Sequence, residues 1–114
     1  MASFASCRSI GSAVLKRNDQ LRTLLINNDE LVHFTRMEYR LILALLNSET
    51  VADAFLVQTL FDTNTLDRLV LKGLEKHVEN AKAKLRYTGL YIRRIHRYGY
   101  SLVEEPCIER AAAS

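Results

Sequence analysis

The chain has 114 residues, of which 48% are hydrophobic and 25% charged, and its formal net charge at pH 7 is +3. That length allows one domain with one core, and that composition excludes a disordered or collagen-like chain. The longest apolar run, Leu41 to Leu46, is far shorter than the roughly 18 residues that a membrane-spanning helix needs, so no contact with a membrane is predicted.

Both ends of the chain are predicted to be tails. Met1 to Arg17 contains no acidic residue and several Ser and Ala, a composition that targeting peptides share with ordinary flexible ends, and we predict the second. The predicted tails cover residues 1–20 and 105–114, with one domain over residues 21–104. The two cysteines, one near each end, lack the paired spacing of a zinc or redox site and are expected to stay reduced in the cytoplasm.

The ordered part begins with a predicted β-hairpin and a first helix. Leu21 to Ile26 and Glu30 to Phe34 are extended stretches, and the Asn and Asp residues between them tolerate left-handed turns. Thr35 and Glu38 then have the spacing of a capping box, which predicts the start of a helix. Its apolar residues recur at three- and four-residue steps as far as Asn47.

Two further helices are predicted. Thr50 and Asp53 offer a second capping box for a short helix down to Asp62, whereas Thr63 to Leu71 fits either a loop or the first turns of the next helix. From Lys72 onward, one predicted buried stripe contains Leu74, Val78, Ala81 and Leu85, and the opposite face contains Lys72, Lys76, Glu79, Asn80 and Ala83. This third helix is expected to end near Arg86, because Thr88 and Gly89 follow.

The last ordered element is a predicted second hairpin. Apolar and basic residues interleave from Tyr91 to Val103, and Arg97 to Gly99 fits the tip, with Gly99 supplying a positive φ. A hairpin, three helices and a basic hairpin form the layout of a winged helix-turn-helix, an α+β fold in which the second hairpin is the wing.

Positive charge is concentrated in the second half of the chain. Residues 68–100 contain nine Lys or Arg and two acids, a net charge of +7, so the rest of the chain carries −4. Such an asymmetry orients a protein in the field of a polyanion. The alternative is a solvated basic face that has no partner.

Four segments carry motifs of one known family. Residues 34–43 are similar to Leu-Thr-x-x-Glu-Phe-x-Leu-Leu, and residues 51–61 to Val-Ser-x-x-x-Leu-x-x-x-Val-Trp. Residues 72–85 are similar to Arg-x-Val-Asp-x-His-Ile-x-x-Leu-Arg-x-Lys-Leu, and residues 91–100 to Tyr-Ile-x-Thr-Val-Arg-Gly-x-Gly-Tyr. In this order, they resemble the OmpR/PhoB-type winged helix-turn-helix domain of bacterial transcriptional regulators.

The resemblance implies sequence-specific binding of double-stranded DNA, with the third helix in the major groove and the wing on the backbone or minor groove. The implied DNA-binding residues, with the basic neighbours that reach phosphates, are Lys72, Lys76, His77, Asn80, Lys82, Arg93, Arg94, His96 and Arg97. Asn bonds adenine through two atoms, and Lys and Arg neutralise phosphates. For His77, a position against the second helix is an equal alternative.

Some positions depart from the family pattern. Glu79 places an acid near the predicted phosphate contacts, Lys82 replaces an Arg and offers only a point charge, and Arg97 replaces the first wing glycine. The residues before Leu21 are too few for the receiver domain that the family usually carries. We therefore expect either a free-standing effector domain or a fragment of a longer protein.

The sequence lacks the usual signs of a catalytic site. The three histidines lie in three different predicted elements, and no phosphate loop or nucleophile motif is present, so no catalytic residue, metal or cofactor is predicted. The alternative function is a protein-protein interaction module on the same scaffold. Thr63 to Leu71 is then the candidate surface for RNA polymerase or another protein, and a homodimer is a further candidate.

Overall fold

The computed structural model describes residues 6–104, with side chains from Ser9 onward, and contains two antiparallel sheets and three helices. The first sheet has the order β1-β2-β3-β4 and consists of β1 (Ser6–Ile10), β2 (Ala13–Asn18), β3 (Thr23–Ile26) and β4 (Glu30–His33). The rest consists of α1 (Arg36–Leu46), β5 (Val51–Ala52), α2 (Asp53–Phe61), α3 (Arg68–Lys84), β6 (Leu90–Ile95) and β7 (Gly99–Glu104). The second sheet has the order β5-β7-β6. The predicted fold class is confirmed, and the predicted hairpin, three helices and second hairpin occur in that order, with β1, β2 and β5 as additional strands.

The N-terminal sheet is larger than the sequence predicts. The predicted hairpin is present as β3 and β4, but residues 6–18, predicted as part of a tail, form two more strands. Leu15 of β2 pairs in register with Ile26 of β3, and both side chains are buried. The tail prediction is therefore wrong for residues 6–18, because β1 pairs with β2, and the alternation of buried and half-buried positions along β2 completes a sheet face over the core. Residues 1–5 and 105–114 lie outside the described part of the chain.

The helix starts follow from local capping. Thr35 Oγ1 accepts a hydrogen bond from the backbone N–H of Glu38 at 3.3 Å, and Glu38 Oε1 accepts one from the N–H of Thr35 at 3.0 Å. This capping box is confirmed. The second predicted box is wrong, because the chain at Thr50 runs into β5 and α2 begins after Ala52 without a side-chain cap.

The segment from Thr63 to Leu71 is divided between a loop and a helix. Asp67 caps α3, since its Oδ1 accepts a hydrogen bond from the N–H of Val70 at 2.9 Å. Residues before Asp67 form the connection from α2, and those after it form the first turn of α3. The two alternatives for this segment, a loop and the first turn of the next helix, are thus each correct for part of it.

The core lies between the helices and the two sheets. The predicted stripe of α3, which comprises Leu74, Val78, Ala81 and the C-cap Leu85, is fully buried. Leu41, Ile42 and Leu45 of α1, and Ile92 and Leu102 of the second sheet, are buried in the same cluster. Each such large side chain contributes about 1.5–3 kcal/mol on burial, so this packing fixes the position of α3 against the wing.

The wing turn differs from its prediction. The residue with the left-handed φ is Arg97, at 58°, and Gly99 has no positive φ. Gly99 is instead the register partner of Ala52, where a Cβ would overlap the backbone of Val51. The glycine therefore permits the close approach of β5 and β7, and the turn itself is made by the arginine.

Candidate nucleic-acid interface

One face of α3 is free of contacts with the core and is polar. At about 100° per residue, this face lies opposite the buried stripe. Its members are all exposed, as predicted: Lys72, Lys76, Glu79, Asn80 and Ala83. Ala83 has the smallest side chain of the five and lies between Lys72 and Lys76 on the helical wheel, so it leaves room for another surface to approach the backbone.

One edge of this face contacts α2. The rings of His77 and Phe61 have centroids 5.9 Å apart, and a Cβ at Gly73 would lie 3.3 Å from Cζ of Phe61. His77 therefore occupies the flank position that the sequence left open as an alternative. A half-buried ring in this place positions α3 on α2.

The opposite edge of the face contacts the wing. The Lys82 ammonium lies 5.0 Å from the centroid of the Tyr91 ring in β6, and 3.5 Å from Oε2 of Glu79. Lys82 thus offsets the acid that the sequence places near the predicted phosphate contacts. A cation above an aromatic face is attracted by about 0.5–1 kcal/mol at an exposed site, so Tyr91 joins the edge of α3 to the wing.

The charge of Glu75 in α3 also influences Tyr100 in β7. Burial raises the pKa of Tyr100, Arg94 opposes that shift, and the charges of Asp53 and Glu75 add to it. Glu75 and Lys82 lie on the same edge of α3 at about 100° per residue. The exposed face of α3 is therefore flanked by α2 on one side and by the wing on the other.

Besides Arg94, which is also exposed, the wing presents three exposed residues with basic side chains. Arg93 is on the same face of β6 as Tyr91, and His96 and Arg97 form the turn after β6. In the part of the chain with described side chains, none of the three forms an ion pair. The two arginines are accordingly available to an anionic partner.

Arg94 behaves differently from its basic neighbours. Its Nη1 donates a hydrogen bond to Oδ1 of Asp53 at 2.7 Å, and its guanidinium lies 4.8 Å from the centroid of the Tyr100 ring. The hydrogen bond to Asp53 raises the pKa of Arg94. The sequence did not single out Asp53 or Tyr91 as site residues, because their partners lie in other elements and leave no local pattern.

The nine predicted site residues thus fall into distinct places. Lys72, Lys76 and Asn80 share the open face of α3, Lys82 lies at its wing edge, and His77 lies at its α2 edge. Arg93, His96 and Arg97 are exposed on the wing, and Arg94, although also exposed, is paired with Asp53. Whether each residue contacts DNA remains a prediction.

Residues 6–104 contain neither a metal-binding cluster nor a membrane-spanning helix. No group of three or more His, Cys, Asp or Glu side chains is arranged to hold a metal ion there. None of the three helices in this range has both the length and the apolar character needed to cross a membrane.

Comparison with known proteins gives a match in structure and none in sequence. No protein-family model matches the chain, and no curated protein matches it. Among solved structures, the chain is similar to the DNA-binding domain of the response regulator AdeR, whose crystal structure is in complex with an intercistronic region. The TM-score is 0.59 at 19% sequence identity, over 79% of this chain and 94% of that one. The chain therefore has the winged helix-turn-helix fold that its resemblance to OmpR/PhoB-type domains predicts.

Proposed function

We propose that the chain binds double-stranded DNA in a sequence-specific manner and acts as a bacterial transcriptional regulator in the cytoplasm. The observation that carries the proposal is the open polar face of α3, which bears Lys72, Lys76 and Asn80 beside the exposed cations of the wing. The similar AdeR domain, which was solved on an intercistronic region, supports the same reading.

In this proposal α3 enters the major groove and the wing follows the backbone. The major groove is wide enough for one helix, and its base edges carry a pattern of donors and acceptors that amide side chains read. Lys72, Lys76 and Lys82, together with Arg93 and Arg97 of the wing, neutralise phosphates on either side. The open face of α3 reads the bases, and the cations around it fix the orientation of the domain.

The experiment that tests the proposal is selection of binding sites from random duplex DNA. We expect recovery of one preferred sequence, with a log affinity that falls against log salt by about 0.9 for each phosphate neutralised. Recovery of no preferred sequence, together with an affinity that does not respond to salt, would contradict the proposal.

Asn80→Ala is expected to relax the preference at one base pair of the selected site. An amide that bonds adenine through two atoms discriminates by about 1–3 kcal/mol, and alanine has no such groups. The measurement is a competition between the selected site and its single-base variants. Asn64→Ala, at an exposed asparagine in the loop before α3, is the matched control and should leave every preference unchanged.

A protein-interaction role is the second candidate, and the exposure of Leu66 and Leu69 favours it. Leu69 is 80% exposed and Leu66 is 46% exposed, which is unusual for two leucines in one short segment. The candidate partners are RNA polymerase, another protein or a second copy of this chain.

The self-association version of this second role has a direct test. Leu69→Asp is expected to convert a sedimenting dimer into a monomer, without loss of fold, because the side chain contacts solvent. Val70 packs against the core, so its replacement would not be a clean test. An unchanged sedimentation mass would count against self-association through this segment.

A further inference from the structure

Arg94 is held by partners from two directions. Its Nη1 lies 2.7 Å from Oδ1 of Asp53 and 3.4 Å from the carbonyl oxygen of Gly99, and its guanidinium lies 4.8 Å from the Tyr100 ring. The Asp53 side chain is only 16% exposed, whereas that of Arg94 is 46% exposed. A guanidinium that contacts a carboxylate, a carbonyl and a ring together has one favoured orientation.

These contacts join the wing turn to the start of α2. Asp53 is the first residue of α2, and its backbone N–H donates a hydrogen bond to the carbonyl oxygen of Tyr98 at 2.8 Å. Ala52, just before it, pairs with Gly99 of β7. The backbone hydrogen bonds and the ion pair therefore connect the wing turn to the start of α2 at the same place.

Asp53 is a suitable fixed partner for this arginine. It lies in the first turn of α2, where a carboxylate interacts favourably with the helix dipole. If Arg94 turned to a phosphate instead, Asp53 would lose its counter-charge and would face the DNA backbone as an unpaired anion. Like-charge contact of that kind disfavours binding.

We propose that Arg94 is a positioning residue, which holds the wing at a fixed place beside α2 through Asp53 and leaves the phosphate contacts of the wing to Arg93 and Arg97. The first half of this inference stands on the geometry of the free protein. The second half rests on the proposed DNA binding, and it assigns opposite roles to two adjacent arginines.

The first test needs no DNA and measures amide hydrogen exchange in the full chain by NMR. Arg94→Ala is expected to speed exchange of the Asp53 amide about tenfold, because a hydrogen-bonded charge pair next to it is lost. Arg93→Ala, which removes a neighbouring arginine without an ion pair in the described region, should leave that amide unchanged. Equal exchange in both variants would overturn the positioning role.

A second variant keeps the proposal testable if Arg94→Ala does not fold. Asp53→Asn keeps the size of the side chain and removes the charge that holds Arg94, so it should speed exchange at the Tyr98 and Asp53 amides in the same direction. If Arg94→Ala unfolds the chain while Asp53→Asn leaves the wing amides fully protected, the pair does not position the wing and the proposal fails.

The second test uses the duplex recovered by selection and compares salt dependence. Arg94→Ala is expected to weaken binding by about tenfold at an unchanged slope of log affinity against log salt, whereas Arg93→Ala should reduce that slope by about 0.9. A slope reduced by Arg94→Ala, with unaltered exchange at Asp53, would make Arg94 a phosphate contact. If the unsubstituted chain binds no duplex, the proposed function fails and the exchange experiment alone decides the role of Arg94.

Discussion

Glu38→Gln is expected to lower the free energy of unfolding by about 2 kcal/mol at pH 7, one of the largest effects of any single charge in this fold. The Glu38 carboxylate is almost fully buried, and its Oε1 accepts hydrogen bonds from the Lys84 ammonium at 2.5 Å and from the N–H of Thr35 at 3.0 Å. It therefore caps α1 and ties it to the last turn of α3. The amide keeps the shape but loses the charge, and a thermal melt should show a fall of roughly 10 °C.

The control for this prediction is the other lysine–glutamate pair of α3. Glu79 and Lys82 are 3.5 Å apart at the surface, with Glu79 largely exposed. An exposed pair of this kind is worth about 0–1 kcal/mol, so Glu79→Gln should change the melting temperature little. Equal losses in Glu38→Gln and Glu79→Gln would contradict the role given to the buried carboxylate.

The same carboxylate predicts a pH dependence of stability. Burial alone would raise the pKa of Glu38, but the hydrogen bonds from Lys84 and Thr35 and the charge of Lys84 outweigh it and hold the pKa below its ordinary value of 4.5. A carboxyl with a lower pKa in the folded state stabilises the fold above its unfolded pKa. That stability is lost as the pH falls below 4.5 through the folded pKa. In Glu38→Gln, the free energy of unfolding should therefore depend less on pH over this range, as measured by denaturant titrations at several pH values.

The features that the sequence predicted correctly depend on residues close together in the chain. The capping box of Thr35 and Glu38 spans one helical turn, and the stripe of α3 repeats at three- and four-residue steps, so both are visible in local spacing. The same holds for the β3–β4 hairpin, where turn residues separate two apolar stretches.

The features that the sequence missed depend on long-range partners. The pair of Arg94 and Asp53 joins residues 41 positions apart, and the pair of Lys84 and Glu38 joins residues 46 apart. No local pattern indicates such a pair, so the sequence alone does not distinguish Arg94 from the unpaired arginines of the wing. In the same way, β2 becomes a strand by pairing with β3, and β1 by pairing with β2, and this pairing outweighs their tail-like composition.

The joint change Arg93→Ala with Arg97→Gly is expected to weaken binding to the selected duplex about 10- to 100-fold near 0.1 M salt, by removal of two phosphate contacts. Glycine suits position 97 because Arg97 has a φ of 58°, so the turn keeps its conformation and loses only its charge. The measurement is a titration at several salt concentrations, in which the slope of log affinity against log salt should fall by about 1.8.

The control for the wing variant is Arg36→Ala with Arg40→Ala, which removes two exposed arginines of α1 and the same net charge. If the cations act only through the overall field of the protein, both variants lose affinity equally, because steering depends on the summed charge. If the wing contacts phosphates, only the wing variant shows a smaller slope of log affinity against log salt. The preferred sequence should be unchanged in that variant, since phosphate contacts position the protein and base contacts specify the site. An unaltered slope in the wing variant would mean that Arg93 and Arg97 do not contact phosphates, and it would contradict the role that the proposed function gives to the wing.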